Sequence, residues 1–172
     1  MQSLPSPAFT FSNPSHLIRP VRDDDGPALA RLIASCFAEY EGCLYDAAEF
    51  PELVAPASSY AEKQAELWVM MAGDELVGSV AITPIAEHHA SEISKVYLDA
   101  NHRGNGAALE LMQRASVCAA RLALPDLVLW TDTRFTRAHR FYEKLGFVRM
   151  PMIRRLHDVS QSWEYRYERR EA

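Results

Sequence analysis

Residues 102–112, HRGNGAALELM, set an arginine, two glycines and two alanines directly before an apolar helical repeat. The chain must therefore turn through glycine-permitted backbone and begin a helix whose first turn carries no bulk. A helix N-terminus leaves amide N–H groups without partners and carries a partial positive charge, so bare backbone there suits a phosphate that comes close. Gly104 and Gly106 permit that approach, Ala107 and Ala108 keep the first turn clear, and Arg103 adds a forked cation. The same residues also suit a plain tight turn, so the stretch alone leaves both readings open. A P-loop is excluded, because Gly-Ala-Ala stands where Gly-Lys-Ser/Thr is required. A dinucleotide fingerprint fails at Leu109 and at the intervening DANHR.

The flanking segments alternate strand and helix patterns. SEISKVYL, 91–98, reads as a strand with Glu92, Ser94, Val96 and Leu98 on one face and Ile93, Lys95 and Tyr97 on the other. From about 104 to 123, Ala108, Leu111, Met112, Ala115, Cys118, Ala119 and Leu122 form the apolar stripe of a helix. The apolar runs 67–72 and 76–83 flank a Gly-Asp turn and predict a hairpin. HLIRPVRDDDGPALARLIASCF reads as a strand and then a helix, with Asp23, Asp24 and Asp25 capping the helix start and Leu29, Leu32, Ile33 and Cys36 or Phe37 forming its stripe. Residues 38–66, broken by Pro51 and Pro56, read as short helices and loops. Downstream come a buried strand, 126–131, a helix over 136–145 stopped by Gly146, and strands near 147–154 and 162–168. In the last, Trp163, Tyr165 and Tyr167 alternate with Glu164, Arg166 and Glu168, predicting one packed and one wet side.

At 172 residues and 48% hydrophobic content there is room for one core, read as a loose Ser- and Pro-rich leader, 1–16, and a single domain, 17–172. The leader lacks a basic start followed by a sustained apolar run, so neither a signal peptide nor a membrane partner is expected. A formal charge of −5 without a basic cluster argues against nucleic acid. Cys36, Cys43 and Cys118 cannot close a disulfide set and lack metal-ligand spacing, which points to the cytoplasm and to no metal. Adjacent His88 and His89 would face opposite ways, and His139 reads as a helix-face residue.

VYLDANHRGNGAALELM resembles the acetyl-CoA-binding motif of the GNAT superfamily of N-acetyltransferases, a strand followed by Arg/Gln-x-x-Gly-x-Gly/Ala. AHRFYEKLGF, 138–147, is similar to the family's downstream Ala-x-x-Phe/Leu-Tyr-x-x-x-Gly-Phe segment. With the IRP strand and acidic helix, the likeness spans about residues 16–168. It implies an α/β (α+β) fold: a mixed, mostly antiparallel sheet of about six or seven strands, splayed at a central parallel pair between 91–98 and 126–131, with about four helices on its faces. Acetyl-CoA would lie in the splay, its pantetheine amides against Val96, Tyr97 and Leu98 and its pyrophosphate on Arg103, Gly104, Asn105, Gly106, Ala107 and Ala108, with Ala138 and Tyr142 on the second motif. Two departures stand out: Phe135 replaces a common Asn and Ala100 a common Pro, so Thr133 or Asp132 is expected to supply the lost polar contact.

Acetyl transfer to an amine needs a neutral amine, a stabilised oxyanion and a protonated leaving thiolate. The resemblance assigns Tyr142 as proton donor to the thiolate, and the oxyanion would be held by the Leu98 N–H; Glu92, on the strand face expected to carry Ser94, Val96 and Leu98, is either the base acting through water or a strand-end glutamate paired with a surface cation. The expected reaction is direct transfer to a primary amine, with a small molecule preferred over a protein N-terminus or lysine. A non-catalytic acyl-CoA sensor is the alternative from another class. Glu39, Glu41, Asp46, Glu49, Glu52, Glu62 and Glu66 make residues 38–66 acidic, and the segment either helps form the acceptor site or is a solvated face. The aromatic last strand either pairs with a second copy, giving a homodimer, or closes the monomer's sheet.

Overall fold

The hairpin at the Gly-Asp turn is formed by β2 (Glu66–Ala72) and β3 (Glu75–Ile85). β1 (His16–Pro20) extends it on the β2 side and β4 (Ala90–Leu98) on the β3 side, all antiparallel. β5 (Asp126–Asp132) then runs parallel to β4, and β6 (Val148–Arg155) and β7 (Trp163–Arg169) complete a seven-stranded sheet in the order β1-β2-β3-β4-β5-β7-β6. Four α-helices cover it: α1 (Gly26–Phe37), α2 (Pro56–Glu62), α3 (Ala107–Arg121) and α4 (Thr136–Lys144). This computed structural model describes residues 16–170, so the expected leader lies outside the described residues except for His16. The mixed, splayed architecture is the one expected.

Each sheet face has its own core. On one, Met70, Val80, Ile82 and Ile93 pack against Leu111, Met112, Ala115 and Ala119 of α3. On the other, Val69 and Ala81 pack against Leu29 and Ile33 of α1 and Tyr60 of α2. Fully buried aliphatic side chains such as Leu111 and Ile33 stabilise by about 1.5–3 kcal/mol each. The expected cap is formed one turn early: the Asp25 carboxylate accepts from the Arg22 N–H at 2.7 Å, closing the turn Asp23–Asp25 that leads into α1, while among the described residues no aspartate side chain caps α1's own amides. Asp25 accepts from both terminal nitrogens of Arg19 at 2.7 and 2.8 Å, and Asp23 accepts from the N–H and hydroxyl of Ser58 at 2.9 and 2.6 Å. They tie β1 and α2 to the start of α1. Gly26 opens that helix because a methyl group there would collide with the Leu53 carbonyl oxygen.

The parallel pair is short. β4 and β5 pair from Ala90 with Asp126 to Ile93 with Leu129, and then separate. Beyond that point β5 remains bonded to β7, with Thr131 opposite Tyr165 and Asp132 opposite Glu164, while β4 stays with β3. The result is a V-shaped split between Ser94–Leu98 and Trp130–Asp132.

β4 also carries a bulge. Ser79 faces Tyr97 but Ala81 faces Ser94, so β4 uses one residue more than β3 across this interval, and Lys95 takes a φ of +51°. A left-handed conformation costs a non-glycine residue about 1–2 kcal/mol. The extra residue overturns the simple alternation expected for 91–98: Glu92 and Ser94 share a face with Tyr97, whereas Leu98 joins Ile93 against α3.

The last strand also differs from expectation. Tyr167 is buried and Trp163 is 46% exposed, while the charged side is not wet. Arg154 bonds Glu164 at 2.6 Å and Arg166 bonds Glu168 at 2.7 Å, and Arg154 and Arg166 both stack on Trp130. β7 lies between β5 and β6 inside the chain's own sheet, whose two edges are β1 and β6. Among the described residues no helix is long and apolar enough to cross a membrane.

Candidate active site

Two cavities open into the split and meet there. The first, about 350 Å³, is lined by Val96, Tyr97, Leu98, Arg103, Gly104, Gly106, Ala108, Ala138 and Tyr142, together with Cys36, Tyr40, Phe135, Arg137 and Phe141. The second, about 500 Å³, holds Glu92, Ser94, Lys95, Trp130, Asp132, Arg154 and Glu164. Val96, Tyr97, Phe135 and Tyr142 line both. Residues from the two distant motifs thus converge on one junction, because β4 and β5 part just where the loop before α3 and the face of α4 close over the gap.

At the helix start, Gly104 and Gly106 adopt φ of +81° and +92°, and nothing lies within 4 Å of where a Cβ would stand on either. The first intrahelical bond of α3 runs from Glu110 N–H to Gly106 C=O at 3.1 Å, so the preceding amides have no partner within the helix. Asn105 Oδ1 accepts from Ala107 N–H at 3.2 Å. The Arg103 fork is already engaged. It donates to the Leu98 carbonyl from Nε at 3.0 Å and Nη2 at 2.7 Å, and grips both oxygens of Glu39 at 2.7 and 2.5 Å. Glu39 also bonds Arg137 at 3.2 Å, and the Arg103 hydrogen bond holds its carboxyl below the ordinary carboxylate range.

The direction of Leu98's amide follows from its neighbour. Asp99 N–H donates to Val77 C=O at 2.8 Å, and backbone groups alternate between strand edges, so Leu98 N–H points toward the split. Tyr142 is 5% exposed and lies among Phe141, Phe147 and Tyr167. Burial alone pushes its hydroxyl well above an ordinary phenol. Glu92 is half-buried in the second cavity; burial raises its carboxyl, opposed by Arg154 and Arg166 and reinforced by Glu164.

Other expected contacts resolve differently. Thr133 lines neither cavity, and its N–H pairs with Trp163 C=O at 2.8 Å. Asp132 does reach the second cavity, but Arg134 holds its carboxylate at 2.9 and 2.6 Å. Phe135 leaves no polar contact; it packs on Phe37 and Tyr40 and forms a wall shared by both cavities. His139 bonds the Asp132 carbonyl at 2.9 Å and stacks on Tyr167, away from the junction. Phe141 and Arg137 were legible as neighbours of Tyr142 and Ala138 on one helix; Glu39, a turn after α1, carried no such signal. Among the described residues no group of His, Cys, Asp and Glu could hold a metal.

Over the second cavity, residues 42–49 are strapped to the β6–β7 loop. Leu44 N–H donates to Ser160 Oγ at 2.7 Å, Ser160 donates back to Leu44 C=O at 3.2 Å, and Val159 N–H donates to Glu49 at 2.5 Å. Arg134 adds a bond to Gly42 C=O at 2.7 Å.

A sheet split at a single parallel pair, with a glycine-built helix start beside the split, is the fold of acetyltransferases. The same architecture recurs in an acetyltransferase from Streptococcus agalactiae, with a TM-score of 0.72 and 21% identity over 88% of this chain and 97% of that one. It recurs again in a PaiA N-acetyltransferase from Thermoplasma acidophilum, solved with coenzyme A, with a TM-score of 0.68 and 15% identity over 88% and 98%. The model of the acetyltransferase (GNAT) family matches residues 27–147, and the chain belongs to that family. It is 31% identical over 140 residues to the uncharacterized N-acetyltransferase YjgM of Escherichia coli (strain K12), covering 77% of this chain and 82% of that protein. The chain is an acetyltransferase.

Proposed function

We propose that the chain transfers the acetyl group of acetyl-CoA directly to the primary amine of a small molecule in the cytoplasm. The observation that carries this reading is the meeting of the two cavities at Val96, Tyr97, Phe135 and Tyr142. The first cavity suits the coenzyme: open space over Gly104 and Gly106 and the first-turn amides of Ala108 and Leu109, which precede the first intrahelical bond of α3, fit a pyrophosphate. Gly104, Asn105, Gly106, Ala107 and Ala108 would supply that backbone, Arg103 and Arg137 positive charge, and Val96 and Leu98 the strand edge for the pantetheine arm. Ala138 keeps the wall low beside it.

Glu92 takes the acceptor's proton through water in the second cavity, the Leu98 N–H steadies the oxyanion from the first, and Tyr142, which lines both, returns a proton to the departing sulfur. The strap from 42–49 to the β6–β7 loop supports a small acceptor, since it narrows the way in for an internal lysine on a folded surface. Thiol release measured over a panel of small amines, peptide N-termini and lysine peptides tests this. Turnover confined to peptides would move the acceptor to protein. Tight coenzyme A binding without turnover on any amine would make the chain a sensor.

Phosphates reaching the loop would compete with Glu39 for Arg103 and Arg137. Glu39→Gln is therefore expected to tighten coenzyme A binding about threefold by calorimetry, more at low than at high ionic strength. An unchanged or weakened affinity would mean that the carboxylate only positions the arginine.

A further inference from the structure

The bulge in β4 needs something to hold it. Lys95 sits at a φ of +51°, a conformation its side chain disfavours. It is tethered at both ends. Ser79, fully buried on β3, donates its hydroxyl to the Lys95 carbonyl at 2.7 Å. At the other end Lys95 Nζ meets Glu52 at 2.7 Å and lies 4.7 Å from the centre of the Phe50 ring. Glu52 and Phe50 belong to the segment between α1 and α2, and Phe50 lines the second cavity.

We infer that Ser79 and the Glu52–Lys95 pair form a clamp on the β4 bulge, and that Ser79 is a positioning residue for the Leu98 N–H and the Val96–Leu98 strand edge. The bulge decides which face and which edge the strand presents beyond it. Tyr97 faces Ser79 and Leu98 faces Gly78 only because one extra residue has been inserted before them. A one-residue slip would turn Leu98 N–H from the split toward β3. A hydroxyl on the bulged carbonyl opposes that relaxation directly. The clamp also joins the acceptor wall to the strand edge, since displacing Glu52 or Phe50 would loosen the same residue that the Ser79 hydroxyl holds.

This inference rests on the acetyltransferase mechanism proposed above for its kinetic consequence, but not for its structural one. Ser79→Ala is expected to lower kcat about tenfold and raise the KM for acetyl-CoA by about threefold. Ser79→Ala combined with Lys95→Gly is expected to return kcat to within about threefold of the parent, because glycine holds positive φ unaided. Ser91→Ala provides the comparison: Ser91 is equally buried on β4 and donates to Leu124 C=O at 2.9 Å, away from the bulge. It is expected to reduce Tm while leaving kcat unchanged. If Ser79→Ala behaves like Ser91→Ala, or if glycine at 95 restores nothing, the clamp is overturned. The structural readout uses the unliganded protein: backbone amide signals of 95–98 should shift or exchange faster in Ser79→Ala and revert in the double variant. Those signals staying fixed in Ser79→Ala would overturn the inference whether or not any amine is acetylated; their movement with no turnover would count against the enzymatic mechanism alone.

Discussion

Tyr142→Phe is expected to lower kcat for acetyl transfer about 100-fold while leaving the coenzyme A dissociation constant within about twofold of the parent. A hundredfold loss corresponds to about 2.7 kcal/mol of transition-state stabilisation. The substitution removes one oxygen and keeps the ring, so contacts with Phe147 at 5.9 Å and Tyr167 at 6.2 Å between centroids survive. The hydroxyl makes no hydrogen bond among the described residues, so its loss leaves no protein partner stranded and Tm should barely move. Stability and rate are therefore separable at this position. Because burial raises the phenol, Tyr142 stays protonated through neutral pH and can serve as a donor there. Activity that depends on it should fall only well above the ordinary phenol value of about 10. Single-turnover quench with acetyl-CoA and a saturating amine isolates the chemical step from product release. A chemical rate within threefold of the parent would remove Tyr142 from the reaction.

What the amino-acid order revealed, and what it did not, divides along a physical line. Strands and helices with a clean period were readable: the β2–β3 hairpin, the stop at Gly146 and the α3 stripe follow from local patterns, except that the stripe's last expected member, Leu122, lies past the end of α3 and is exposed. Tyr142, Ala138 and the glycines line one cavity because the two motifs are each continuous in sequence. The bulge at Lys95 was invisible, since a lysine at positive φ is held by a serine sixteen residues away and by a glutamate in the segment between α1 and α2. The alternation assigned to 91–98 failed for that reason alone. Asp23 and Asp25 were legible only in part: Asp25 does accept the local Arg22 N–H as capping rules favour, but Arg19 also holds its carboxylate and Ser58 takes that of Asp23, partners that no local rule supplies. Arg103 shows the same limit, because its guanidinium answers to Glu39 from a different element.

Glu92→Gln is expected to reduce kcat/KM for the acceptor about 100-fold at neutral pH and to change the form of the pH profile. Burial lifts the Glu92 carboxyl above the ordinary carboxylate value of about 4.3, so the parent's base is unavailable at low pH and becomes ionised as pH rises through the lifted value. The acid limb of kcat/KM in the parent should therefore carry a step displaced upward from the ordinary glutamate value. The acceptor amine adds its own step on the alkaline side, near 10.4 for a lysine-type amine and about 8 for an alpha-amine. Gln keeps the shape and removes the ionisation, so the variant should retain only the amine's step, and its deficit should shrink as pH approaches the amine's own pKa and free amine becomes abundant. The fold should tolerate the change, because Arg154 keeps Glu164 at 2.6 Å and its stack on Trp130. A deficit that stays constant across pH would recast Glu92 as an electrostatic anchor for the ammonium. A profile identical to the parent's would place the base elsewhere in the second cavity, with Asp158 the next carboxylate to replace.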